Sequence, residues 1–283
     1  MNNQNNSFLS LQTKEMQIRN YSPRTIETYC KLLCHLEKEL GKSLDEITTE
    51  DFKSRLHFMI TENGASTSTI NQLISAFKIF YVDICHREWE EFRVKRPRRE
   101  KKLPIVLSLE EVQRMISVTN NLKHKAILML TYSAGLRRME VLQIKPKDID
   151  SQRMQIRVVQ GKGKKDRYTI LSQKTLEVLR IYYKLERPTE FLFEPNGNKG
   201  KALSETTLEH IVKNSVRKAG IKKDVSFHTL RHCFATHLLE SGVNIRQIQQ
   251  FLGHTSLKTT AIYLHVAQIK TDSFTSPLDN MNL

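Results

Sequence analysis

Between His228 and Tyr263 the chain reads HTLRHCFATHLLESGVNIRQIQQFLGHTSLKTTAIY. On a helix, His228 and Arg231 share a face, three positions apart. A second histidine, His254, follows the pair Leu252-Gly253, and Tyr263 closes the stretch. These residue types suit attack on a phosphodiester. Without a metal, such attack needs a nucleophile, cations around the non-bridging oxygens and a proton donor for the leaving oxygen. Tyr263 carries a hydroxyl that can attack. Arg231, with Arg137 from earlier in the chain, offers forked donors that stay charged. Lys162, between two glycines, can protonate a leaving 5′-oxygen from an exposed loop. His228 can accept the tyrosine proton or hydrogen-bond the phosphate, and His254 can donate to the same oxygen.

Taken singly, each residue has an ordinary structural explanation. A lone tyrosine is a core or interface residue, a Gly-Lys-Gly is a turn, and an arginine after a glycine can close a helix start on the surface. Their occurrence together, in this order, requires elements that converge. Tyr21-Ser22-Pro23 reads as a helix start, with Ser22 able to cap and Pro23 at the first helical position. Ile26, Tyr29, Leu33, Leu36 and Leu40 then recur at helical spacing up to Gly41. Further helices are expected after Thr48-Thr49-Glu50-Asp51 and from near Ser66, whereas residues 1–10 are polar and expected to be loose. No strand-like alternation precedes residue 100, so the front of the chain reads as a small all-α unit.

From Arg93 to Lys102 come seven Lys/Arg against one Glu, and Pro97 and Pro104 punctuate the stretch. Proline disfavours helix and like charges extend the chain. We read a linker that faces a polyanion, with Lys95, Arg96, Arg98, Arg99, Lys101 and Lys102 meeting backbone phosphate. Beyond it, Ser108-Leu109-Glu110-Glu111 caps another helix. A helix from Lys123 ends at Gly135, and Gly135-Leu136-Arg137-Arg138-Met139-Glu140 begins the next. The period changes after Pro146: Met154 to Val159 alternates, Gly161 to Asp166 is a turn, and Arg167 to Leu171 extends again. That is a hairpin with a Gly/Lys-rich tip bearing Lys162, Lys164 and Lys165. Helical patterns return at 172–185 and 204–219. The expected class is mainly α with a small antiparallel β-sheet, in two domains: an N-terminal helical unit, 1–97, a basic linker, 98–104, and a mixed α/β unit, 105–283.

The 283 residues carry 45 Lys+Arg against 30 Asp+Glu, a formal charge of +15 that makes nucleic acid the favoured partner. The Met-Asn-Asn-Gln-Asn-Asn start carries no export pattern, and no apolar run is long enough for a bilayer, so a cytoplasmic protein without membrane contact is expected. Four cysteines, none in a CxxC pair, are expected to be reduced.

As a set, Gly135-Leu136-Arg137-x-x-Glu140, Gly161-Lys162-Gly163, His228-x-x-Arg231, Leu252-Gly253-His254 and Tyr263, nine residues after His254, resembles the tyrosine recombinase (phage-type integrase) family. The short chain and the closing Ser276-Pro277-Leu278-Asp279 make the resemblance Xer-like. It covers residues from about 12 to 280. The resemblance implies an N-terminal core-binding (SAM-like) domain and a C-terminal catalytic domain ending in a subunit-exchange tail. It implies that Arg137, Arg231 and His254 bind the scissile phosphate, Lys162 is the general acid and His228 assists the nucleophile. Tyr263 would form a 3′-phosphotyrosyl link, with Glu140 supporting the pocket. Lys164 and Lys165, beside Lys162, would meet DNA. No cofactor and no metal are implied. The family works on double-stranded DNA as a dimer on one site and a homotetramer on two, through a four-way junction; a second recombinase or an accessory protein stays open. Arg138, directly after Arg137, departs from the family's usual small or apolar residue.

Three alternatives are weighed. A type IB topoisomerase uses a similar pocket but works alone, and the apolar Leu264, Val266 and Ile269 with the tail beyond speak for a partner subunit instead. A non-catalytic DNA-binding regulator explains the charge but leaves the ordered set to chance. A zinc site from His228, His232, Cys233 and His237 would need ligands that a helix splits between two faces.

Overall fold

The computed structural model describes residues 2–89, 94–97, 103–159 and 166–268. The chain divides into two compact units, Met1–Lys101 and Lys102–Leu283.

The first unit is helical throughout: α1 (Asn2–Ile18), α2 (Pro23–Leu40), α3 (Thr49–Thr61) and α4 (Thr67–Lys78), which runs into a wide π-helical turn at Ile79–Ile84. Local chemistry sets the boundaries. The Ser22 side chain accepts from the Thr25 amide at 3.2 Å, with Pro23 at the first position, and Gly41 at φ 64° ends α2. Thr48 and Asp51 form a reciprocal capping box on α3. Leu33, Leu36, Phe52, Leu56, Phe77 and Phe80 make the core, with Phe52 stacked on Phe77 at 4.4 Å. Residues 1–10, expected to be loose, are helical from Asn2 onward. Tertiary packing overrides their polar composition. Phe8 meets Phe80 edge-on at 5.5 Å, the Gln12 amide donates to the Ala76 carbonyl at 3.2 Å, and Met16 is fully buried. Of the basic run, Lys95 is exposed, while Arg96 lies back on α4, donating to the Asn71 carbonyl at 3.1 Å and to Ser75 Oγ at 2.9 Å. Arg98, Arg99, Lys101 and Lys102 lie outside the described residues.

The second unit is mainly α around a small sheet. Its elements are α5 (Leu109–Ser117), α6 (Leu122–Ala134), α7 (Arg138–Gln143), strands β1 (Ile149–Asp150), β2 (Gln155–Val158) and β3 (Arg167–Ile170), then α8 (Gln173–Glu186), α9 (Glu205–Lys218), α10 (Phe227–Glu240), α11 (Ile245–Leu252), α12 (Leu257–Thr260) and a 3₁₀ turn, Ala261–His265. The sheet is antiparallel in the order β1-β2-β3, with Val158 opposite Arg167. Period-two alternation produces it: Ile156 and Val158 face the core while Arg157 points out. The sequence had signalled only the β2–β3 hairpin; two-residue β1 is too short to leave a pattern. The hairpin tip, with Lys162, Lys164 and Lys165, lies outside the described residues.

Helix α10 is the central element, burying Phe227, Leu230, Arg231, Cys233, Phe234 and Ala235. It also catches the incoming chain at Leu107, from both sides of one peptide. Cys233 Sγ accepts from the Leu107 amide at 3.2 Å, and His237 Nε2 donates to the Leu107 carbonyl at 2.9 Å. His237 Nδ1 is then the acceptor for the Tyr132 hydroxyl at 2.9 Å, so one tautomer satisfies the ring. Burial pushes the Cys233 thiol up to about 11, which keeps it protonated. Where α6 meets α10, only glycine fits. Gly135 adopts φ 62°, and a Cβ there would lie 2.3 Å from the Phe234 ring. Among the described residues no helix is long and apolar enough to cross a membrane.

Candidate active site

Three helix ends and one strand meet at the site: the C-terminus of α6, the N-terminus of α7, the C-terminus of α11 and the start of β3. Helix ends leave unpaired backbone groups, and arginines occupy them. Arg231 projects from α10 into this junction and is 2% exposed. Its guanidinium donates to the Gly135 carbonyl at 2.5 Å and the Leu252 carbonyl at 2.6 Å, both at the negative ends of helices. The same nitrogen that reaches Leu252 lies 3.2 Å from His254 Nε2. Arginine has no acceptor, so Nε2 is the accepting nitrogen and the ring proton sits on Nδ1, which faces Thr260 Oγ1 at 2.9 Å.

Arg137 precedes α7. Its amide donates to Glu140 Oε2 at 2.7 Å and its guanidinium to Oε1 at 2.8 Å, so Glu140 closes the helix start and orients the arginine. A second nitrogen of Arg137 points at the Gly253 carbonyl, 3.4 Å away. Arg138 turns the other way, onto Glu205 and Glu209 of α9 at 2.5 and 2.9 Å. Of the two adjacent arginines, Arg137 is therefore the one that points into this junction.

Sequence reasoning missed Arg167. Its fork straddles Glu140, at 2.6 Å to Oε1 and 2.7 Å to Oε2, while Nε donates to the Phe251 carbonyl at 2.8 Å. Its side chain packs so closely on Gly253 that a Cβ there would lie 2.6 Å from Arg167 Cδ. Gly253, at φ 61°, therefore serves both the left-handed end of α11 and the passage of this arginine. The only sequence signal was its position, leaving the hairpin at the first residue of β3.

Three guanidiniums thus surround one carboxylate. Burial works to raise the Glu140 pKa, but the Arg167 fork, then Arg137, hold it down at about 2. Loss of hydration, then Arg137, lowers the Arg231 pKa to about 9, against the opposing pull of Glu140. The histidines respond in the same sense. Burial, followed by Arg231 and Arg137, takes His254 down to about 3. Burial, followed by His228 and Arg231, takes His232 down to about 4. His228 is lowered as well, by lost hydration and then by Arg231 and Arg137. Three guanidiniums against one carboxylate leave the pocket with an excess of positive charge.

Tyr263, on the 3₁₀ turn after α12, is 3% exposed and packs on Phe234, Ala235, Ile248 and Leu252. Burial raises its pKa, while Arg231 and Arg137 act to lower it. Its hydroxyl lies 3.1 Å from Nδ1 of His232, not of His228. His228 lies on the exposed side of α10, its ring 5.7 Å from that of His232. Arg137, Glu140, Arg231, His254 and Tyr263 are thus brought to one place, with His228 at the rim; Lys162 lies outside the described residues. The four side chains weighed as zinc ligands divide between uses. His228 and His232 face the tyrosine side, whereas Cys233 and His237 hold Leu107.

Two family models match the chain: the phage integrase family over residues 106–269, and the phage integrase N-terminal SAM-like domain over residues 8–91. A protein of Sinorhizobium fredii named as an integrase/recombinase (y4qK) is 40% identical over 268 residues, covering 94% of this chain and 87% of its own. A tyrosine recombinase of Thermosipho africanus is 38% identical, covering 88% and 91%. Among solved structures, a XerA recombinase is 31% identical with a TM-score of 0.54, covering 95% of both chains. A XerH site-specific recombinase bound to its difH substrate before cleavage is 25% identical with a TM-score of 0.70, covering 90% and 78%. The chain belongs to the phage integrase family of tyrosine recombinases, and is Xer-like within it. Its activity is that of a tyrosine-type site-specific recombinase.

Proposed function

We propose that the protein cleaves and rejoins double-stranded DNA with Tyr263 as nucleophile. One observation carries this reading: the Tyr263 hydroxyl lies within electrostatic reach of the Arg231 and Arg137 guanidiniums, in a cluster whose positive charge outweighs the single Glu140 carboxylate. A phosphodiester brings the missing negative charge, and the excess grows in value as the pentacoordinate transition state accumulates more. Arg137 and Arg231 clamp the non-bridging oxygens. His254 joins them in its other tautomer, with Nε2–H donating to the phosphate and Nδ1 accepting from Thr260 Oγ1, once phosphate draws the Arg231 donors away. Attack of the phenol oxygen leaves a 3′-phosphotyrosyl bond and a free 5′-oxygen, protonated by Lys162 from the hairpin tip. Glu140 supports Arg137. The energy of the phosphodiester is retained in the covalent link, so the reaction asks for no nucleotide cofactor.

Strand exchange then proceeds on a homotetramer holding two DNA sites, with a dimer on each and a four-way junction between cleavage rounds. Residues 1–97 form the core-binding domain and 105–283 the catalytic domain. Lys95, Arg98, Arg99, Lys101, Lys102, Lys164 and Lys165 meet backbone phosphate, Arg96 joins them only by leaving Asn71 and Ser75, and the enzyme acts in the cytoplasm, on mobile or chromosomal recombination sites. Relatives with recombinase names over almost the whole chain, and the DNA-bound state of XerH, support this reading.

The test is a duplex nicked next to the cleavage site, which traps the covalent product by losing the short 5′-hydroxyl fragment. Wild-type protein should give a protein–DNA adduct resistant to denaturant, and Tyr263→Phe none. A wild-type protein that binds the site but yields no adduct would reduce the chain to a DNA-binding regulator.

A further inference from the structure

The mechanism above gives no task to the half-buried histidine at the nucleophile. His232 is one helical turn beyond His228, on the same face of α10, and among the described residues it is the hydrogen-bond partner of the Tyr263 hydroxyl, at 3.1 Å from Nδ1. We propose that His232 takes the proton of Tyr263 during strand cleavage and returns it on rejoining. The inference rests on the reading of Tyr263 as the nucleophile.

Geometry selects His232 over His228. A proton acceptor has to lie within hydrogen-bond reach of the atom it serves. His232 Nδ1 does, with the two rings tilted at 51° and their centroids 5.8 Å apart. His228 instead meets the His232 ring edge-on at 77° and opens to solvent. That position suits a contact to the incoming phosphate, the other role its spacing allowed. The position of His232 is also fixed from its own helix. It follows Arg231, whose guanidinium is tied to two carbonyls, and precedes Cys233, whose sulfur is tied to Leu107. The stretch of helix that carries the imidazole is therefore held in place on both sides of it.

The protonation states fit. Burial and the neighbouring His228 and Arg231 keep the imidazole neutral at physiological pH, so one ring nitrogen is always free to accept. In the resting pocket the phenol holds its proton more tightly than the imidazole would, so no tyrosinate accumulates and the nucleophile stays protected. Two changes accompany substrate. The phosphate adds negative charge beside His232 and counters the guanidiniums, raising its proton affinity. The phenol oxygen loses proton affinity as it begins to bond phosphorus. Transfer is thus coupled to attack. The Tyr263 Oη–P bond forms, the P–O5′ bond breaks, the phenolic proton passes to His232 Nδ1, and O5′ receives a proton from Lys162. Rejoining runs the same transfers backwards, as a reversible strand exchange requires.

The experiment measures single-turnover cleavage of the nicked duplex by the full-length protein and its His232→Ala, His232→Asn and Tyr263→Phe variants, with DNA binding and thermal melting recorded for each. His232→Ala is expected to bind DNA within about threefold of wild type and cleave on the order of 10²–10³-fold more slowly. Added imidazole should restore a substantial part of the rate, with substituted imidazoles ranking by basicity. His232→Asn places an amide near the Nδ1 position, able to accept a hydrogen bond but not a proton. It should melt like wild type and still cleave at least about tenfold more slowly than wild type. Cleavage by His232→Ala within threefold of wild type would overturn the proposal. So would full recovery in His232→Asn without response to imidazole, which would mark an orienting role alone. Absence of any adduct with the wild-type protein would instead remove the nucleophile reading, and this inference with it.

Discussion

Replacing Arg167 with alanine is expected to destabilise the catalytic unit by about 3–5 kcal/mol, the usual cost of removing one partner of a buried ion pair. The Arg167 side chain is 9% exposed, and that of Glu140, which it grips with both fork nitrogens, is 7%. Without the fork, the Glu140 carboxylate keeps Arg137 as its near partner, and the Phe251 carbonyl loses its donor. The change should reach catalysis too. Glu140 orients Arg137, so a shift of the carboxylate misplaces the arginine proposed to clamp phosphate, and displacements of about 1 Å can cost on the order of 10²-fold in rate. Arg167→Lys should rescue little of either, because a point ammonium cannot span two carboxylate oxygens and a carbonyl. Urea unfolding and adduct formation on the nicked duplex check both parts. An unfolding midpoint equal to that of wild type would show that Glu140 does not depend on Arg167.

Acidification from pH 7 to pH 5 is expected to weaken the folded state through histidines rather than acidic side chains. His232 and His254 have folded pKa values of about 4 and about 3, against 6.5 for an ordinary histidine. In the window between, the unfolded chain binds protons that the folded chain refuses, so stability rises with pH across it. The contribution is fully present above pH 6.5 and is lost as pH falls towards the folded values. At pH 5, about 1.5 pH units at ~1.36 kcal/mol each sets an upper bound of roughly 2 kcal/mol for His232, and His254, more open to solvent, adds less because water screens its neighbours. His124 and His228, also lowered, act in the same direction. Glu140 occupies a separate window. Held at about 2, it supplies stability above pH 4.5 that disappears only as pH falls below that value. Urea midpoints at pH 7 and pH 5 provide the measurement, and the paired His232→Asn, His254→Asn variant should flatten the difference. Equal midpoints for the wild-type protein would contradict the buried, neutral state of both rings.

The residues of the site differ in how far sequence alone exposed them. Arg137, Arg231, His254 and Tyr263 were recognisable because phosphate chemistry restricts the residue types that can do it, and because glycines and caps bracket the helix ends that carry them. Arg167 was hidden. On a four-residue strand flanked by charged residues, an arginine looks like an outward-facing position, and nothing local reveals that its fork crosses to a carboxylate 27 residues earlier. His232 was hidden for a related reason. Sequence could place it on the face of His228, but which of two histidines one turn apart meets a tyrosine on a separate element depends on how α10 and the 3₁₀ turn pack. The first helix shows the limit in the opposite direction. Its polar opening suggested a loose end, yet Phe8, Gln12 and Met16 recur every four residues and find a prepared surface on the end of α4 and the turn beyond.

The two-sided grip of α10 on Leu107 has a mechanical consequence. Both hydrogen-bonding groups of one residue, at the very entrance to the catalytic unit, are fastened to the helix that carries Arg231, His232 and His228. Tension on the chain ahead of Leu107 is therefore delivered to that helix without passing through a loop, about one turn from the side chains that face the nucleophile. The peptide behaves as a short tether, so a tug from upstream bears directly on the helix that sets His232 against Tyr263.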